Sequence, residues 1–550
     1  MTASAASTPA APDPTATHQT ASHPDAPVRT APNPTAPAHG ADLNAPAAES
    51  RQTAPATPPG QPLVVDGQLV STSPVTGAEV GRFPIADAEA VAAAVRRARA
   101  AQVWWQELGF AGRRKRLLRW RSLMTARLDE LIELMHAEMG KTRADALVEL
   151  APALSHVAWA ARNARRVLRA RRVRGTLVLP EFAGSVEYEP YGVIGVIGPW
   201  NYPINTPMGS IAYALAAGNA VVFKPSEYTP AIGKWYVDIF AEVVPEHPVL
   251  QIVFGLGETG AHLVRSGVDK VAFTGSPRTA RKIIAACAET LTPVLIEGGG
   301  KDAMIVDVDA DLDAAADAAV WGGMTNAGQT CIGIERVYVA APVYDAFVDK
   351  VAARARAVRV GPEPTADIGP ITMPGQIEVI RRHIDDAIAR GARAVVGGPD
   401  AVQPPFVHPT VLVDVPEDAA AVREETFGPT LTVTKVDDVE EALRRVNASA
   451  YGLGGAVFGR RRARRLAREM RAGMVSINGV LTFAGFPSLP FGGLGESGFG
   501  RIHGDDGLRE MARPKAIARR RMRSPLPTTS FTRTPRQTRL IERVIRLVNR

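Results

Sequence analysis

Cysteine is nearly absent: the 550 residues hold two, Cys287 and Cys331. That excludes a disulfide-stapled fold and any cysteine-based zinc or iron–sulfur framework, which need several thiols at set spacings. Aromatic residues are sparse at 6%. No uninterrupted apolar run reaches the roughly 18 residues of a membrane-crossing helix. The N-terminus lacks the basic-then-apolar layout of a secretory leader. No histidine pair has metal-ligand spacing and no GxSxG occurs, so neither a metal site nor a serine hydrolase is expected. The default reading is a cytoplasmic protein of a reducing compartment.

The net charge of +8 sits almost wholly in one place. From residue 511 onward there are twelve Arg or Lys against Glu542 alone, which is 12 − 1 = +11 and leaves about −3 for the rest. A nucleic-acid binder would carry its charge on the folded body, interleaved with aromatics, so none is expected here. Residues 1–62 contain seventeen Ala and thirteen Pro. Such a stretch has too little apolar side chain to form a core and is expected to be a disordered tail.

With 46% hydrophobic residues, the remainder has ample material for more than one core. Apolar spacing predicts helices over Ala88 to Trp105 and Arg113 to Met139. Alternation over Val173 to Leu179 and Ser185 to Tyr191, divided by a segment with Pro180 and Gly184, predicts a β-hairpin. Short apolar strands then alternate with helical patterns: 192–197, 220–223, 250–254, 270–273 and 294–297. A second such run has strands at 305–308, 336–339, 394–396, 431–435 and 474–477. Strand and helix in turn predict parallel sheets with crossover helices, an α/β fold. At the end, Leu540, Ile541, Val544, Ile545, Leu547 and Val548 share one helical face, with Arg539, Arg543, Arg546 and Arg550 largely elsewhere. That is a basic amphipathic helix, able to lie on an anionic membrane surface or to dock on protein.

Gly255-Leu256-Gly257-Glu258-Thr259-Gly260 matches the dinucleotide fingerprint literally, after a strand and before a helix. No acidic residue ends a next strand about 20 positions on, where the ribose partner belongs. More informative is Asn326-Ala327-Gly328-Gln329-Thr330-Cys331, a cysteine on a small, polar segment where a thiolate could attack an electrophile. Cys287, among Ile283, Ile284, Ala285 and Ala286, reads as packing. Asn201 follows the strand at 192–197, where ligands gather at the carboxyl ends of parallel strands, and its amide could donate to a developing oxyanion. Glu297 ends another strand before three glycines, and a half-buried carboxylate there could serve as a general base.

Taken together, GPWNYP (198–203), KPSE (224–227), FTGS (273–276), EGGGK (297–301), GQTC (328–331), EETFGP (424–429) and PFGGLGESGFGR (490–501) resemble the NAD(P)-dependent aldehyde dehydrogenases. The likeness spans about residues 63 to 523. It implies a Rossmann-like cofactor-binding domain, an α/β catalytic domain and a small β oligomerisation element. The implied bounds are 63–297 for cofactor binding with the hairpin at 173–191, 298–480 for catalysis and 481–523 for a return segment with an oligomerisation strand near 514–523. Residues 524–550 remain as the basic tail.

The resemblance also implies roles. Cys331 would be the nucleophile, Asn201 and the Cys331 backbone N–H the oxyanion hole, and Glu297 the base that activates water. Lys224, Ser226 and Glu227 would hold the adenosine ribose, with Phe273, Thr274, Gly275 and Ser276 at the pyrophosphate and Gly257 close by. Glu425 and Phe427 would position the nicotinamide half, near Ile197, Pro199, Trp200 and Gly298. FTGS, rather than the literal fingerprint, would be the phosphate site. Glu227 accepts from a ribose hydroxyl but repels a 2′-phosphate, favouring NAD while leaving NADP possible.

Two motifs depart from the common forms: Gly298 stands where Leu is usual, and Gly495 where Lys is usual. Leu481, Phe483, Phe486 and Leu489 lie in a stretch that lines the substrate tunnel in the family, and residues 478–490 hold no Lys or Arg. An apolar aliphatic or aromatic aldehyde is therefore expected. The alternatives are a semialdehyde such as succinate semialdehyde, acyl transfer to coenzyme A, or a non-catalytic membrane-associated scaffold. A homodimer or homotetramer is expected from exposed edge strands.

Overall fold

The computed structural model describes residues 60–174, 179, 181–523 and 528–549. The tail expected over 1–62 lies outside these residues up to position 59, as do residues 175–178 and 180 of the expected hairpin.

Two parallel sheets organise the described chain. The first has six strands in the order Gly498–Phe499, Val294–Glu297, Lys270–Thr274, Val193–Ile197, Ala220–Lys224, Leu250–Ile252. All pair in parallel except Gly498–Phe499, which runs antiparallel to Val294–Glu297. The strand order reverses beside Val193–Ile197, whose neighbours are Ala220–Lys224 and Lys270–Thr274, and such a switch point opens a ligand crevice at the carboxyl ends. Val193–Ile197 and Ala220–Lys224 are buried throughout, which explains their unbroken apolar runs: helices cover both faces. Two buried tryptophans tie those helices down. Trp105 Nε1 donates to the Leu215 carbonyl at 2.9 Å and Trp120 Nε1 to the Tyr236 carbonyl at 2.8 Å.

The second sheet has seven strands, in the order Arg393–Val396, Thr410–Val413, Thr430–Val436, Ile334–Ala340, Asp302–Val306, Gly455–Phe458, Ser476–Ile477. Only Arg393–Val396 is antiparallel to its neighbour. A three-stranded antiparallel sheet stands apart, with Phe182–Pro190 between Arg171–Val173 and Ala512–Arg520. The hairpin and the late strand are thus present, with the first hairpin strand at Arg171–Val173.

Several expectations need correction. Arg113 to Met139 is not one helix: Gly109–Ala126 and Leu128–Met139 meet at Arg127, whose φ of −109° and ψ of 31° leave helical geometry. Met124, Leu131 and Met135, all buried, keep helical spacing across that break, so periodicity could not reveal it. The strand expected at 305–308 begins earlier, at Asp302, because the charged Lys301 and Asp302 are buried rather than solvated. The strands Thr410–Val413 and Gly455–Phe458, and the N-terminal sheet of Leu63–Val65, Gln68–Thr72 and Glu79–Pro84, were not expected.

The C-terminal helix spans Pro535–Val548, opened by a capping box between Thr534 and Gln537, and buries no residue. No helix among the described residues is long and apolar enough to cross a membrane.

Candidate active site

Cys331 follows a tight segment in which Asn326, Ala327 and Gly328 all have positive φ, at 54°, 54° and 71°. Consecutive left-handed residues are costly for non-glycine side chains, and packing holds them here. A Cβ on Gly328 would collide with the Gly428 backbone. Gln329 braces the turn: its Nε2 donates to the Asn326 carbonyl at 2.8 Å, and its Oε1 accepts from Thr372 N at 2.8 Å.

Asn201 sits against this turn. Its Nδ2 donates to the Gln329 carbonyl at 2.9 Å, and Asn326 Nδ2 donates to the Asn201 carbonyl at 3.1 Å. The Asn201 amide donates no other hydrogen bond among the described residues. Beneath lies a buried ion pair that sequence reasoning missed. Lys141 Nζ donates to Glu149 at 2.6 Å, and Glu149 Oε1 accepts from Ile204 N and Asn205 N at 2.8 and 3.1 Å.

Glu297 ends its strand at the crevice and is 3% exposed. Thr274 Oγ1 donates to one carboxylate oxygen at 2.9 Å, and the other oxygen has no partner. Burial pushes the Glu297 carboxyl up to about 8, against the opposing effects of Thr274 and Arg501. Burial, followed by the negative charges of Glu297, Glu425 and Asp302, pushes the Cys331 thiol well up. A charged carboxylate at Glu297 thus disfavours the Cys331 thiolate. Glu297, Gly298, Cys331, Thr274, Asn205, Thr206, Leu453, Phe491, Ile502 and His503 line one pocket. None of these is Lys or Arg. Of the expected tunnel stretch, Phe483 is buried beside Phe491 with ring centroids 6.4 Å apart, Leu481 is half-buried, and Phe486 and Leu489 are exposed.

Gly298 explains one motif departure. A Cβ there would run into the Glu496 carbonyl, and Gly298 N donates to the Ser497 carbonyl at 3.0 Å. The return segment therefore lies too close for a leucine. Gly495, at φ +61°, occupies a turn that resists any side chain.

The remaining residues lie along the carboxyl edge of the first sheet. Ile197, Pro199 and Trp200 follow the Val193–Ile197 strand. Trp200 meets Phe427 edge-on with centroids 5.5 Å apart. Lys224 is buried, and its Nζ donates to the Pro225 carbonyl at 3.1 Å and to Glu227 at 3.4 Å. Burial lowers its pKa, with Glu227 opposing. Ser226 Oγ accepts from Tyr228 N at 3.3 Å. Phe273 is buried at the sheet, and Ser276 caps the helix Pro277–Ala288, whose N-terminal amides suit an anion. Gly257 opens the helix Gly257–Arg265 with empty space beside its Cα.

Glu425 Oε1 accepts from Gly300 N at 2.8 Å, and burial pushes its carboxyl up to about 8. A second unforeseen pair supports this loop. Glu335 accepts from Thr426 N and Phe427 N at 2.9 and 3.0 Å and pairs with buried Lys301. Two adjacent charged residues, Glu335 and Arg336, inside an otherwise apolar strand were the available signal for it.

These features fit an extended dinucleotide. Lys224 keeps one ammonium hydrogen unpaired, Ser276 offers a helix N-terminus, and Gly257 leaves room for close approach. Among the described residues no group of three His, Cys, Asp or Glu stands at metal-holding spacing.

The model of the aldehyde dehydrogenase family matches residues 65–517. The chain belongs to that family. It is 38% identical over 461 residues to a 4,4'-diapolycopene aldehyde oxidase of Methylomonas sp, covering 83% of this chain and 87% of that protein. It is 36% identical over 456 residues to a Mycolicibacterium smegmatis protein bearing the name of an NADP(+) succinate-semialdehyde dehydrogenase, covering 81% and 88%. Among solved structures it resembles an NAD-dependent aldehyde dehydrogenase from Sinorhizobium meliloti, with a TM-score of 0.80, 33% identity and coverage of 83% and 92%. It also resembles an NADP-dependent glyceraldehyde-3-phosphate dehydrogenase from Bacillus halodurans, complexed with NADP, with a TM-score of 0.78, 32% identity and coverage of 83% and 96%. Membership carries the fold and the aldehyde-oxidising activity expected from the seven motifs.

Proposed function

We propose that this aldehyde dehydrogenase oxidises an apolar aliphatic or aromatic aldehyde to its carboxylic acid, with Cys331 as nucleophile and Glu297 as base. Residues 63–297 form its cofactor-binding part and 298–480 its catalytic part. One observation carries the reading: Glu297, with a carboxylate oxygen unpartnered, lines the same pocket as Cys331.

The Cys331 thiolate adds to the carbonyl carbon. The carbonyl π pair moves to oxygen, where the free Asn201 amide hydrogen and the Cys331 N–H stabilise it. Lys224, Glu227, Ser276, Glu425 and Phe427 would hold the dinucleotide, which when bound supplies the acceptor for the hydrogen and two electrons released. Cys331 then carries the acyl group as a thioester. Glu297 takes a proton from water, the oxygen adds to the acyl carbon, and the C–S bond breaks to return the thiolate. Glu227 favours NAD over NADP through repulsion of a 2′-phosphate.

Glu297→Gln tests the assignment. Retention of the first turnover as a burst of reduced cofactor, with steady turnover nearly gone, supports hydrolysis by Glu297. Full turnover with coenzyme A in that variant would replace hydrolysis by acyl transfer.

The exposed edge strand Ala512–Arg520 supports assembly into a homodimer or homotetramer in the cytoplasm. The C-terminal helix supports a second, peripheral role. Leu540, Ile545, Leu547 and Val548 are exposed on a helix bearing Arg536, Arg539, Arg543 and Arg546, a pattern suited to an anionic lipid surface. Co-sedimentation with anionic vesicles should be lost on removal of residues 531–550. Unchanged binding would end that reading.

A further inference from the structure

His503, which lines the pocket, belongs to a polar cluster that the reaction does not use. His156, from the helix Arg143–Leu168, and His503, just ahead of the helix Gly504–Glu510, stack with ring centroids 3.6 Å apart. They are 0% and 2% exposed. The Ala484 backbone lies against His156, and none of the four ring nitrogens makes a hydrogen bond of good geometry. Asn205 Oδ1, on the same pocket, is also unpartnered. Tyr213, 6.0 Å from His503, is already committed: its hydroxyl donates to the Pro487 carbonyl at 3.0 Å.

Buried polar atoms left unpaired are costly and rare. The chain bears two further costs at the same place. His503 has φ of +62°, a region non-glycine residues avoid. Gly209 faces it, and a Cβ there would fall 2.7 Å from His503 Nε2. Strain, surrendered side-chain volume and orphaned nitrogens converge at His503, on the substrate pocket. Burial lowers the pKa of both rings, to about 3 for His156, so each imidazole is neutral and offers one donor and one acceptor.

We infer that His503, backed by His156 and with Asn205 on the same pocket, forms a subsite for a hydroxyl group carried by the aldehyde away from its carbonyl. The inference rests on the pocket being the aldehyde site. A hydroxyl both donates and accepts, matching a neutral imidazole and an amide oxygen. A carboxylate does not fit, because no Lys or Arg lines the pocket and a buried anion without a cation is unfavourable.

Steady-state kinetics with matched aldehydes test this: benzaldehyde against its hydroxybenzaldehydes, hexanal against 6-hydroxyhexanal, and succinate semialdehyde as the carboxylate arm. The native enzyme should prefer the hydroxylated member of at least one pair by about tenfold or more in kcat/KM, since a site built for a hydroxyl rejects the analogue lacking it. His503→Phe should erase the preference by raising KM for the hydroxylated aldehyde alone, and His503→Gln should restore part of it. Where His503→Phe does not fold, His156→Phe and His503→Gln carry the comparison. Equal kcat/KM within every pair, equal KM changes for both members, or a native preference for succinate semialdehyde would each overturn the subsite. Failure to oxidise any aldehyde would sink the parent function and the subsite together, whereas unselective oxidation sinks the subsite alone.

Discussion

Lys141 donates to the backbone carbonyl of Asn201 at 2.9 Å while its ammonium is paired to Glu149. Both side chains are wholly buried, so the loop that carries Asn201 rests on an ion pair shielded from water. Removing one partner strands the other charge, which costs about 3–5 kcal/mol. Glu149→Gln should therefore lower the unfolding midpoint and reduce kcat more than it changes KM for NAD. Thermal unfolding beside steady-state kinetics checks this, and an unchanged midpoint would contradict the role.

Asn201 itself should show a purer catalytic effect. Asn201→Ala removes one oxyanion donor and should lower kcat by about 10²–10³. Thiol titration of Cys331 with an alkylating agent should stay within a few-fold of native, because no oxyanion forms in that reaction. A parallel loss in both assays would point to collapse of the Cys331 turn instead.

The pH dependence follows from Glu297. Its carboxyl is raised to about 8 by burial, so below that pH it is mostly protonated and cannot accept a proton from water. Thioester hydrolysis should rise with pH through about 8 and then level. Single-turnover experiments that separate acyl formation from hydrolysis measure it, and the rise should be missing in Glu297→Gln.

Glu335 touches neither pocket nor crevice, yet it fixes the loop that carries Glu425 and Phe427 through two backbone amides. Glu335→Gln should raise KM for NAD by about tenfold, equivalent to ~1.4 kcal/mol of lost binding. Its kcat at saturating cofactor should change less. Cofactor titration by fluorescence reads the same quantity without turnover.

Cofactor choice is tested at Glu227. Glu227→Ser removes a carboxylate that pairs with Lys224 and would repel a 2′-phosphate. The ratio of kcat/KM for NADP over NAD should rise by about tenfold, and an unmoved ratio would place discrimination elsewhere.

The sequence made the parallel sheets legible because their strands are buried on both faces and read as short apolar runs. The family was legible because the motifs that hold Cys331, Glu297 and Asn201 survive as contiguous strings at strand ends and in loops. The supports were not. Lys141 with Glu149 and Lys301 with Glu335 join residues whose partnership exists only after folding, and a lone charge in a helical pattern reads as surface. His156 and His503 lie far apart in the chain, and neither lies in a pattern that signals a site. The break at Arg127 was hidden because apolar spacing passes through it unchanged.

The short strand Gly498–Phe499 pairs Phe499 with Ile296 and Gly498 with Glu297, so the peptide beside Glu297 comes from the far end of the folded chain. During synthesis from the N-terminus, Cys331 and Glu297 emerge well before that peptide does. Without it, the first sheet would have an open edge beside Glu297. The edge of the first sheet beside Glu297 is thus closed by residues synthesised roughly 200 positions later, so covering that carboxylate requires the chain to have reached Phe499.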